Sequence, residues 1–425
     1  MMSRQPARLF RYFLSSLVMA LTASHAVAQD AATQAVVEWN AIALRTTKTG
    51  APAIPAMRNL AMTQMAVSDV LNAFVPRYRS YYFKISNPRP TPEVPGIATA
   101  AHDVLVALYP KEQERLDQDL ANALAQAPDG AAKDRAIEFG KAAAAAVLQA
   151  RANDRMNDVV PYTAAPEEGI WRPTPGDGIA PTNAPRGPDN VAAMGVSWSK
   201  MQPLLMKSPD QFRPGPPPAL NSAVYARDFN ELIEMGGADS TKRTQDQTDM
   251  ALFWRPTPDV LYNPLIQTLV VEKKFDAWRA AHVFALANIA MVDAVISSWD
   301  AKFVYNQWRP ITGIRNASEA VNAKTKAVPG WGPLLFTPPY PDYPGGHPAT
   351  AGATARVLEY FFGKKPGKFS VTSGGKTRSF ESFESVEKEV IDARVWGGVH
   401  WRTSDTVAAD MGTKIAKYIL DKQGK

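Results

Sequence analysis

The sequence predicts an all-α protein made of two packed helical bundles with long Pro-rich surface loops. Apolar residues recur at helical spacing through most of the chain, and the candidate strands are too few to build a sheet. A hydrophobic content of 45% and a charged content of 21% are ordinary for a folded soluble protein. The 425 residues are enough for one large core or for two to three domains.

The first 28 residues have the pattern of a signal peptide. Arg4, Arg8 and Arg11 precede a short apolar run at 12–21, and Ala26-Val27-Ala28 follows as an A-x-A cleavage site. We therefore expect cleavage near Ala28 and export to a periplasmic or extracellular space, between which the pattern does not distinguish. The apolar run is too short to span a membrane, and no later uninterrupted apolar run predicts a span.

Residues 29–160 predict an N-terminal helical bundle, with helical patterns at 34–73, 97–109, 112–125 and 131–151. Residues 161–220 are predicted to be a connecting excursion, because seven prolines between 161 and 195 exclude helix and central strand. Trp171, Trp198 and Phe212 lie in this excursion. These aromatic residues predict that it packs onto the body of the protein rather than forming a free linker.

Residues 221–425 predict a C-terminal helical domain. Its predicted helices are 222–235 capped by Ser222, 240–253, 264–271, 274–305, 349–362, 383–395, and 405–422 capped by Ser404. Gly345, Gly346 and His347 precede Pro348, which is well suited to the first position of a helix. Free N–H groups at such a helix start make a ready anion site, although an ordinary tight turn would show the same pattern.

The composition excludes several classes of site. The absence of cysteine excludes disulfides, thiolate nucleophiles and zinc–thiolate centres. The formal net charge of +6 is modest, and no run of lysine and arginine predicts a nucleic-acid surface. The residue pattern leaves the oligomeric state open.

Two further segments bring cations or imidazole to a break between helices. Lys302 and Arg309 are seven residues apart, so they share a helix face if that helix persists to Pro310. A lysine point charge and an arginine fork suit a tetrahedral oxyanion, although two exposed surface cations would have the same spacing. Nearer the C terminus, a predicted helix carries Arg394, ends at a glycine pair and is followed by His400.

These segments, in this order, resemble the three-part signature of the phosphatidic acid phosphatase type 2 and vanadium-dependent haloperoxidase superfamily. That signature is K-x6-R-P, then P-S-G-H, then S-R-x5-H-x3-D. The matching residues are Lys302, Arg309, Pro310, Pro344, Gly346, His347, Arg394 and His400. Gly345 stands where the signature has its first serine, and Ala393 where it has its second. Ser404 stands where the signature has aspartate, and Asp405 follows one place later.

The resemblance implies an oxyanion site in the second half of the chain. Vanadate, or phosphate in the alternative function, would be held by Lys302, Arg309, Gly345, Gly346 and Arg394. His400 would be the metal ligand or the phosphoryl nucleophile, His347 the acid–base group, and Asp405 the group that orients His400.

Trp299 and Tyr340 resemble residues of the haloperoxidase branch, in which they would line the halide side of the site. The implied activity is a haloperoxidase that takes hydrogen peroxide, a halide and a small organic substrate. Chloroperoxidases of the family carry phenylalanine at the place of Tyr340, which implies that bromide is the better substrate here. Two alternatives stay open. One is a secreted phosphatase that hydrolyses phosphomonoesters through a phosphohistidine, and the other is a catalytically weak oxyanion-binding homologue, which Gly345 suggests.

Overall fold

The computed structural model describes residues 31–48, 53–85, 91–163, 167–174 and 193–423. The predicted signal peptide lies outside these residues, as does the segment 175–192 of the proline-rich excursion. Cleavage near Ala28 therefore stays a prediction.

The described residues confirm the all-α class. The helices are α1 (31–47), α2 (Ala53–Phe74), α3 (Glu93–Leu108), α4 (Gln113–Leu124), α5 (Ala131–Arg151), α6 (Ala223–Met235), α7 (Gln245–Phe253), α8 (Pro258–Glu272), α9 (Ala277–Tyr305), α10 (Pro310–Arg315), α11 (Gly346–Phe362), α12 (Phe383–Trp396) and α13 (Arg402–Gln423). Short 3-10 helices cover Pro110–Glu112 and Val196–Lys200. The predicted cap of α6 is confirmed, because the Ser222 hydroxyl accepts a hydrogen bond from the backbone N–H of Tyr225 at 3.1 Å.

The helices form two compact units whose segments alternate along the sequence. Within the described residues, unit 1 comprises 31–46, 62–85, 91–148 and 267–282. Unit 2 comprises 47–48, 53–61, 149–163, 167–174, 193–266 and 283–423. The consecutive domain boundaries expected from the sequence, at 29–160, 161–220 and 221–425, stay a prediction.

Unit 1 is held together by packing of α3 against α4 and by an apolar core. Fully buried members of that core are Val70, Ile97, Val104, Leu105 and Leu116. The carboxylate of Asp69 accepts backbone N–H groups of residues 81, 82 and 83 at 2.7–2.8 Å. This buried acid thereby fixes the segment that follows α2.

Unit 2 is organised around α11, which packs on α13 and α12. Gly352 and Gly412 allow the close approach of α11 and α13. A Cβ on Gly352 would overlap the carbonyl oxygen of Ala409, and one on Gly412 would overlap that of Ala349. The backbone N–H just before α11 also donates to a carbonyl in the first turn of α13, at 3.1 Å. Two predicted site segments are therefore joined directly through the backbone.

One small sheet corrects the expectation that no sheet forms. Strands β1 (Phe369–Ser373) and β2 (Lys376–Phe380) pair antiparallel, with Phe369 opposite Phe380. The turn uses Gly374 and Gly375, both at positive φ, which glycine adopts without the steric cost of a Cβ. The prediction failed because a two-strand hairpin needs only ten paired residues and a glycine turn.

Several helix ends differ from those predicted. Helix α9 ends at Tyr305, so Lys302 and Arg309 do not share one helix, and Arg309 is instead the N-cap residue of α10. Helix α11 begins at Gly346, which places Pro348 third rather than first in that helix. Helix α13 begins at residue 402, so Ser404 lies inside it and does not cap it.

Helix α9 is the described segment that bears on the expectation that no later uninterrupted apolar run predicts a membrane span. By length and hydropathy alone it is long and apolar enough to cross a membrane, and the whole of its most apolar stretch is buried inside the protein. Burial of this kind is also found in the core helices of soluble proteins.

The described parts of the proline-rich excursion pack as expected. Trp171 and Trp198 are buried, with 1% and 7% of their surface exposed. Phe212 is half-buried and packs edge-to-face on Tyr418 of α13 at 5.5 Å between ring centroids. The aromatic residues thus anchor these loops on unit 2.

Candidate oxyanion-binding site

Every residue predicted for the site lies in unit 2. These residues occupy the last two turns of α9, the start of α10, the loop 340–345, the first turn of α11, and the segment from the end of α12 into α13. Lys302 is fully buried, and its Nζ donates to the carbonyl oxygens of Pro341 at 3.0 Å and Asp342 at 2.5 Å. Burial, with a further contribution from the charge of Arg309, lowers the pKa of Lys302 well below its ordinary value.

Arg309 is held from both sides by backbone carbonyl groups. Its Nε donates to Tyr340 at 2.7 Å and its Nη1 donates to Val399 at 2.8 Å. The guanidinium also lies over the Tyr340 ring, 4.7 Å from its centroid. Within the described residues Nη2 has no hydrogen-bond partner, although it is buried. That orphaned donor is available to an anion.

Arg394 is in the last turn of α12 and is only 4% exposed. Its Nε and Nη1 have no hydrogen-bond partner among the described residues. Burial lowers the pKa of its guanidinium. A buried cation with unmade hydrogen bonds costs several kcal/mol unless a ligand or water completes them, so this residue fits an oxyanion that it would bind.

A glycine turn places His400 against these cations. Gly398 has a φ of 75°, in the left-handed region that glycine adopts freely, and a Cβ there would also overlap the carbonyl oxygen of Gly236. His400 is 2% exposed, and its Nδ1 is 2.7 Å from Asp342 Oδ1. Arg309 Nη1 is 3.4 Å from both ring nitrogens, so it lies over the ring rather than in line with one lone pair.

The electrostatics of the site keep His400 neutral. Burial lowers the pKa of His400 well below its ordinary value, and the charges of Arg309, Lys302 and Arg394 lower it further. The influence of all three cations on one imidazole indicates that they converge around it. A neutral imidazole has a lone pair with which to bind a metal or attack phosphorus.

Asp342 is the residue that the sequence reading missed. It is fully buried, and its carboxylate lies 2.7 Å from His400 Nδ1 and 3.5 Å from Arg309 Nη1. Burial raises the pKa of Asp342 to about 6, against the opposing charges of Arg309 and Lys302. The available signal was its place in the Tyr-Pro-Asp-Tyr-Pro segment, but only the tertiary structure shows that it faces His400.

Asp405 lies further from His400 than the resemblance implied. Its Oδ1 is 3.9 Å from His400 Nδ1, and neither of its carboxyl oxygens has a hydrogen-bond partner among the described residues. Burial raises the pKa of Asp405 well above its ordinary value, and the charge of Asp342 adds to the effect. A Cβ on Gly345 would overlap Asp405 Oδ1, so the carboxyl group fills the space beside this glycine.

His347 lies in the first turn of α11, next to the same cations. Its Nε2 is 3.2 Å from the carbonyl oxygen of Pro256, which can only accept, so Nε2–H is the donor and Nδ1 keeps its lone pair. Burial lowers the pKa of His347 well below its ordinary value, with further lowering by Arg394 and His400. The neutral ring can therefore accept a proton at Nδ1 near neutral pH.

A cavity of about 100 Å³ adjoins His347 and Gly346. Trp299 and Tyr340 line it, with their ring centroids 4.8 Å apart. Apolar side chains complete much of the wall, namely Ile54, Met57, Met194, Trp198, Pro258 and Val295. A Cβ on Gly346 would lie 3.1 Å from the Trp299 ring, so the glycine lets the indole approach the start of α11.

The structure thus brings the predicted residues together around His400 and His347, while the roles assigned to them stay predictions. A family model described as the VCPO second helical-bundle domain matches residues 282–424, which include all of them. Vanadium chloroperoxidase from Curvularia inaequalis is 30% identical in an alignment of 181 residues that covers 36% of this chain. That match spans 30% of the relative's own length.

Solved structures extend the similarity over most of the fold. The first bacterial vanadium-dependent iodoperoxidase has a TM-score of 0.73 and 22% identity, covering 93% of this chain and 95% of that one. A holo-type bacterial vanadium-dependent chloroperoxidase has a TM-score of 0.70 and 16% identity, covering 87% and 91%. At these identities the likeness demonstrates a shared fold.

Proposed function

Because the chain belongs to the vanadium-dependent haloperoxidase superfamily, we propose that it is a haloperoxidase that oxidises halide with hydrogen peroxide at vanadate bound by His400. The observation that carries the proposal is the convergence of buried cations on a neutral imidazole. Lys302, Arg309 and Arg394 all lower the pKa of His400, and the two arginines have hydrogen-bond donors without partners among the described residues.

The residues present fit an oxyanion cofactor. Orphaned donors on Arg309 and Arg394 supply charge-assisted hydrogen bonds, and Lys302 adds a compact positive charge. The first-turn N–H groups of α11, from Gly346 onward, lack intrahelical partners and favour negative charge. Vanadate, when bound, would supply a Lewis acid that activates hydrogen peroxide toward halide.

The two histidines have separate roles in this proposal. His400 Nδ1 lies 2.7 Å from Asp342 Oδ1, and a ring nitrogen of the neutral imidazole that carries a lone pair would ligate the vanadate. His347 is anchored through Nε2 to Pro256, so its Nδ1 can take a proton from incoming peroxide and return it to the departing oxygen. Since burial lowers the pKa of both groups, both start the reaction neutral.

The halide side is the cavity between Trp299 and Tyr340. Its largely apolar wall disfavours strongly hydrated ions, because the cost of removing water from an anion rises as the ion becomes smaller. Bromide is therefore proposed as a better substrate than chloride. A small organic molecule would then be halogenated by the oxidised halide.

A phosphatase is the second candidate, supported by the same cations around the neutral imidazole of His400. Phosphate is also a tetrahedral oxyanion, and a neutral histidine is a competent phosphoryl nucleophile. A weak oxyanion-binding homologue is the third candidate. It is supported by Gly345, which stands where the signature has a serine, and by the buried carboxylate of Asp342, which offsets part of the positive charge.

One experiment separates these functions. Purified protein, with and without orthovanadate, is assayed for peroxide-dependent bromination of a phenol and for hydrolysis of an aryl phosphate. Vanadate-dependent bromination that disappears in His400→Ala but persists in the control His102→Ala, whose histidine lies in unit 1, supports the haloperoxidase. Aryl phosphate hydrolysis that vanadate inhibits would reject the haloperoxidase and support the phosphatase. Vanadate binding without either activity would reject both enzymes and support the binding homologue.

Export is proposed as well, on the signal-peptide pattern of residues 1–28. N-terminal sequencing of protein recovered from the periplasm or medium should give a start near residue 29. Recovery of the chain only from the cytoplasm with Arg4 and Arg8 retained would contradict this proposal.

A further inference from the structure

One apolar cluster in unit 2 supports the proposed site from behind. Its buried members Trp308, Val395 and Trp401 each adjoin, in sequence, one of the two site arginines or His400. The members contributed by α6 are Tyr225, Phe229 and Leu232. Helix α6 carries none of the residues predicted for the site, yet it packs against the neighbours of several of them.

Trp401, which directly follows His400, is held by α6 and by the segment before α10. Its ring centroid lies 5.0 Å from that of Tyr225 and 6.3 Å from that of Phe229. Its Nε1–H donates to the carbonyl oxygen of Trp308 at 3.1 Å. Because Trp401 is only 2% exposed, close packing fixes the residue to which His400 is attached.

Helix α13 takes a hydrogen-bond acceptor for its first turn from α6. The residue before α13 is Trp401, whose indole only donates and so cannot cap a helix. The carboxylate of Asp228 fills this role, because its Oδ2 accepts the backbone N–H of Thr403 at 2.8 Å. First-turn N–H groups lack intrahelical partners, and a negative charge beside them is favourable. Asp228 is 1% exposed, so the contact is shielded from water.

Arg402 fastens the same turn to α6 and α12. Its Nε lies 3.2 Å from both carboxylate oxygens of Glu231, and its Nη2 also donates to Glu231. Its Nη1 donates to Asp392 on α12. Three consecutive residues after His400, at positions 401–403, are therefore each in contact with α6.

We propose that Asp228 is a positioning residue for His400, which it places among the site cations by capping α13. The chain before His400 contains the pair Gly397-Gly398, whose backbone is intrinsically permissive. The position of the imidazole is therefore set from the other side, where α6 holds the chain. The inference rests on the proposed function, since it takes the oxyanion to bind at His400. It adds a residue that lies outside both the three-part signature and the matched range 282–424.

The test compares Asp228→Ala and Asp228→Asn with Ser382→Ala. The control removes another helix cap, because the Ser382 hydroxyl accepts the N–H of Ser385 at 3.1 Å at the start of α12. Both alanine variants lose a cap, so both should melt at a lower temperature than the wild type. Loss of stability alone therefore does not distinguish them.

Orthovanadate and inorganic phosphate affinities, measured by calorimetry on the full chain, give the first readout. Asp228→Ala should bind both oxyanions roughly tenfold more weakly, because a small misplacement of a ligating group is costly. Asp228→Asn should recover part of the affinity, since its amide oxygen still accepts from Thr403. Ser382→Ala should bind both oxyanions as the wild type does.

Amide hydrogen exchange of residues 399–403, followed by mass spectrometry, gives the second readout. Exchange there should be faster in Asp228→Ala and unchanged in Ser382→Ala. Wild-type affinity and exchange in Asp228→Ala, or equal losses in the control, would overturn the inference. If the alanine variant fails to fold, the asparagine variant decides: it must bind orthovanadate more weakly than Ser382→Ala.

These readouts are separable from the proposed catalysis. A wild type that binds orthovanadate without brominating would end the haloperoxidase proposal and leave the affinities to decide the role of Asp228. A wild type that binds neither oxyanion would end the proposed site. Faster exchange in Asp228→Ala would then still show that Asp228 holds the His400 turn, and unchanged exchange would reject it.

Discussion

Asp405 occupies the space that a side chain at Gly345 would require. A Cβ built on Gly345 would overlap Asp405 Oδ1 and lie 3.3 Å from its Cγ. The glycine and the aspartate, two separate departures from the family signature, are therefore complementary in space. The Asp405 carboxyl group occupies the space that the side chain of a serine at position 345 would need.

We predict that Gly345→Ser destabilises the protein, because the new side chain overlaps a fully buried carboxyl group. Overpacking of a filled core typically costs about 1–3 kcal/mol. Thermal and urea unfolding of the ligand-free protein measure the effect. Gly330→Ser is the matched control, since a Cβ on Gly330 meets no atom within 4 Å.

The double variant Gly345→Ser/Asp405→Ala tests the complementarity directly. Removal of the carboxyl group should restore most of the lost stability, giving a coupling free energy on the order of 1 kcal/mol or more in a double-mutant cycle. Additive effects of the two substitutions would show that the residues do not share this space. The double variant should also bind orthovanadate more tightly than Gly345→Ser alone, because the serine hydroxyl can then donate to the oxyanion.

Arg394 should reveal a conflict between stability and ligand binding. Replacing it with methionine removes a buried cation whose Nε and Nη1 lack partners among the described residues. Since apolar replacement of a buried charge is often neutral or stabilising by about 1–4 kcal/mol, ligand-free Arg394→Met should melt no lower than the wild type. Orthovanadate should raise the melting temperature of the wild type but not of the variant.

The control for this prediction is Arg356→Met on α11, whose guanidinium is partly exposed and pairs with Glu359 at 3.3 Å. That variant should retain the vanadate-induced rise in melting temperature. A large loss of stability in ligand-free Arg394→Met would instead mean that its charge is satisfied within the protein.

Glu387 predicts a pH dependence of stability. Burial raises its pKa to about 7, and the charges of Glu359, Glu384 and Asp410 add to the effect. The native state thus holds this proton more tightly than the unfolded state. Its stabilising contribution is complete below the unfolded pKa, near 4.5, and is lost as the pH rises through about 7.

We therefore expect the free energy of unfolding to fall between pH 5 and pH 8. Glu387→Gln should flatten that dependence and be more stable than the wild type at pH 8 by on the order of 1–2 kcal/mol, allowing for partial exposure. Urea unfolding across this pH range provides the measurement. The exposed Glu381→Gln is the control, and a slope identical in Glu387→Gln and wild type would contradict the assignment.

Tyr340 should influence the choice of halide. Its ring borders the cavity beside Trp299. The resemblance described above implies that chloroperoxidases have phenylalanine at this position. Tyr340→Phe should lower the ratio of kcat/KM for bromide to that for chloride, by on the order of tenfold. Tyr360→Phe, at a surface tyrosine 47% exposed, should leave the ratio unchanged. A wild-type preference for chloride would refute the proposal on which this prediction depends.

Much of the architecture was readable from the sequence because it depends on local patterns. The alanine-rich composition of residues 131–151 predicted both ends of α5, and Ser222 predicted the start of α6. The glycine pair after α12 likewise marked the end of that helix. The β1–β2 hairpin and the true ends of α9, α11 and α13 were missed, because tertiary contacts outweigh weak local signals at helix ends.

The sequence by itself determined the all-α class and the set of cations and histidines that form the site, since residue type and spacing carry that information. The tertiary structure decided which carboxylate touches His400. Asp342 is far from His400 in sequence, and only the folding of loop 340–345 against the turn after α12 brings its carboxylate within 2.7 Å of His400 Nδ1. The fold likewise decided that Asp405 fills the space beside Gly345, because steric exclusion depends on how α11 and α13 pack.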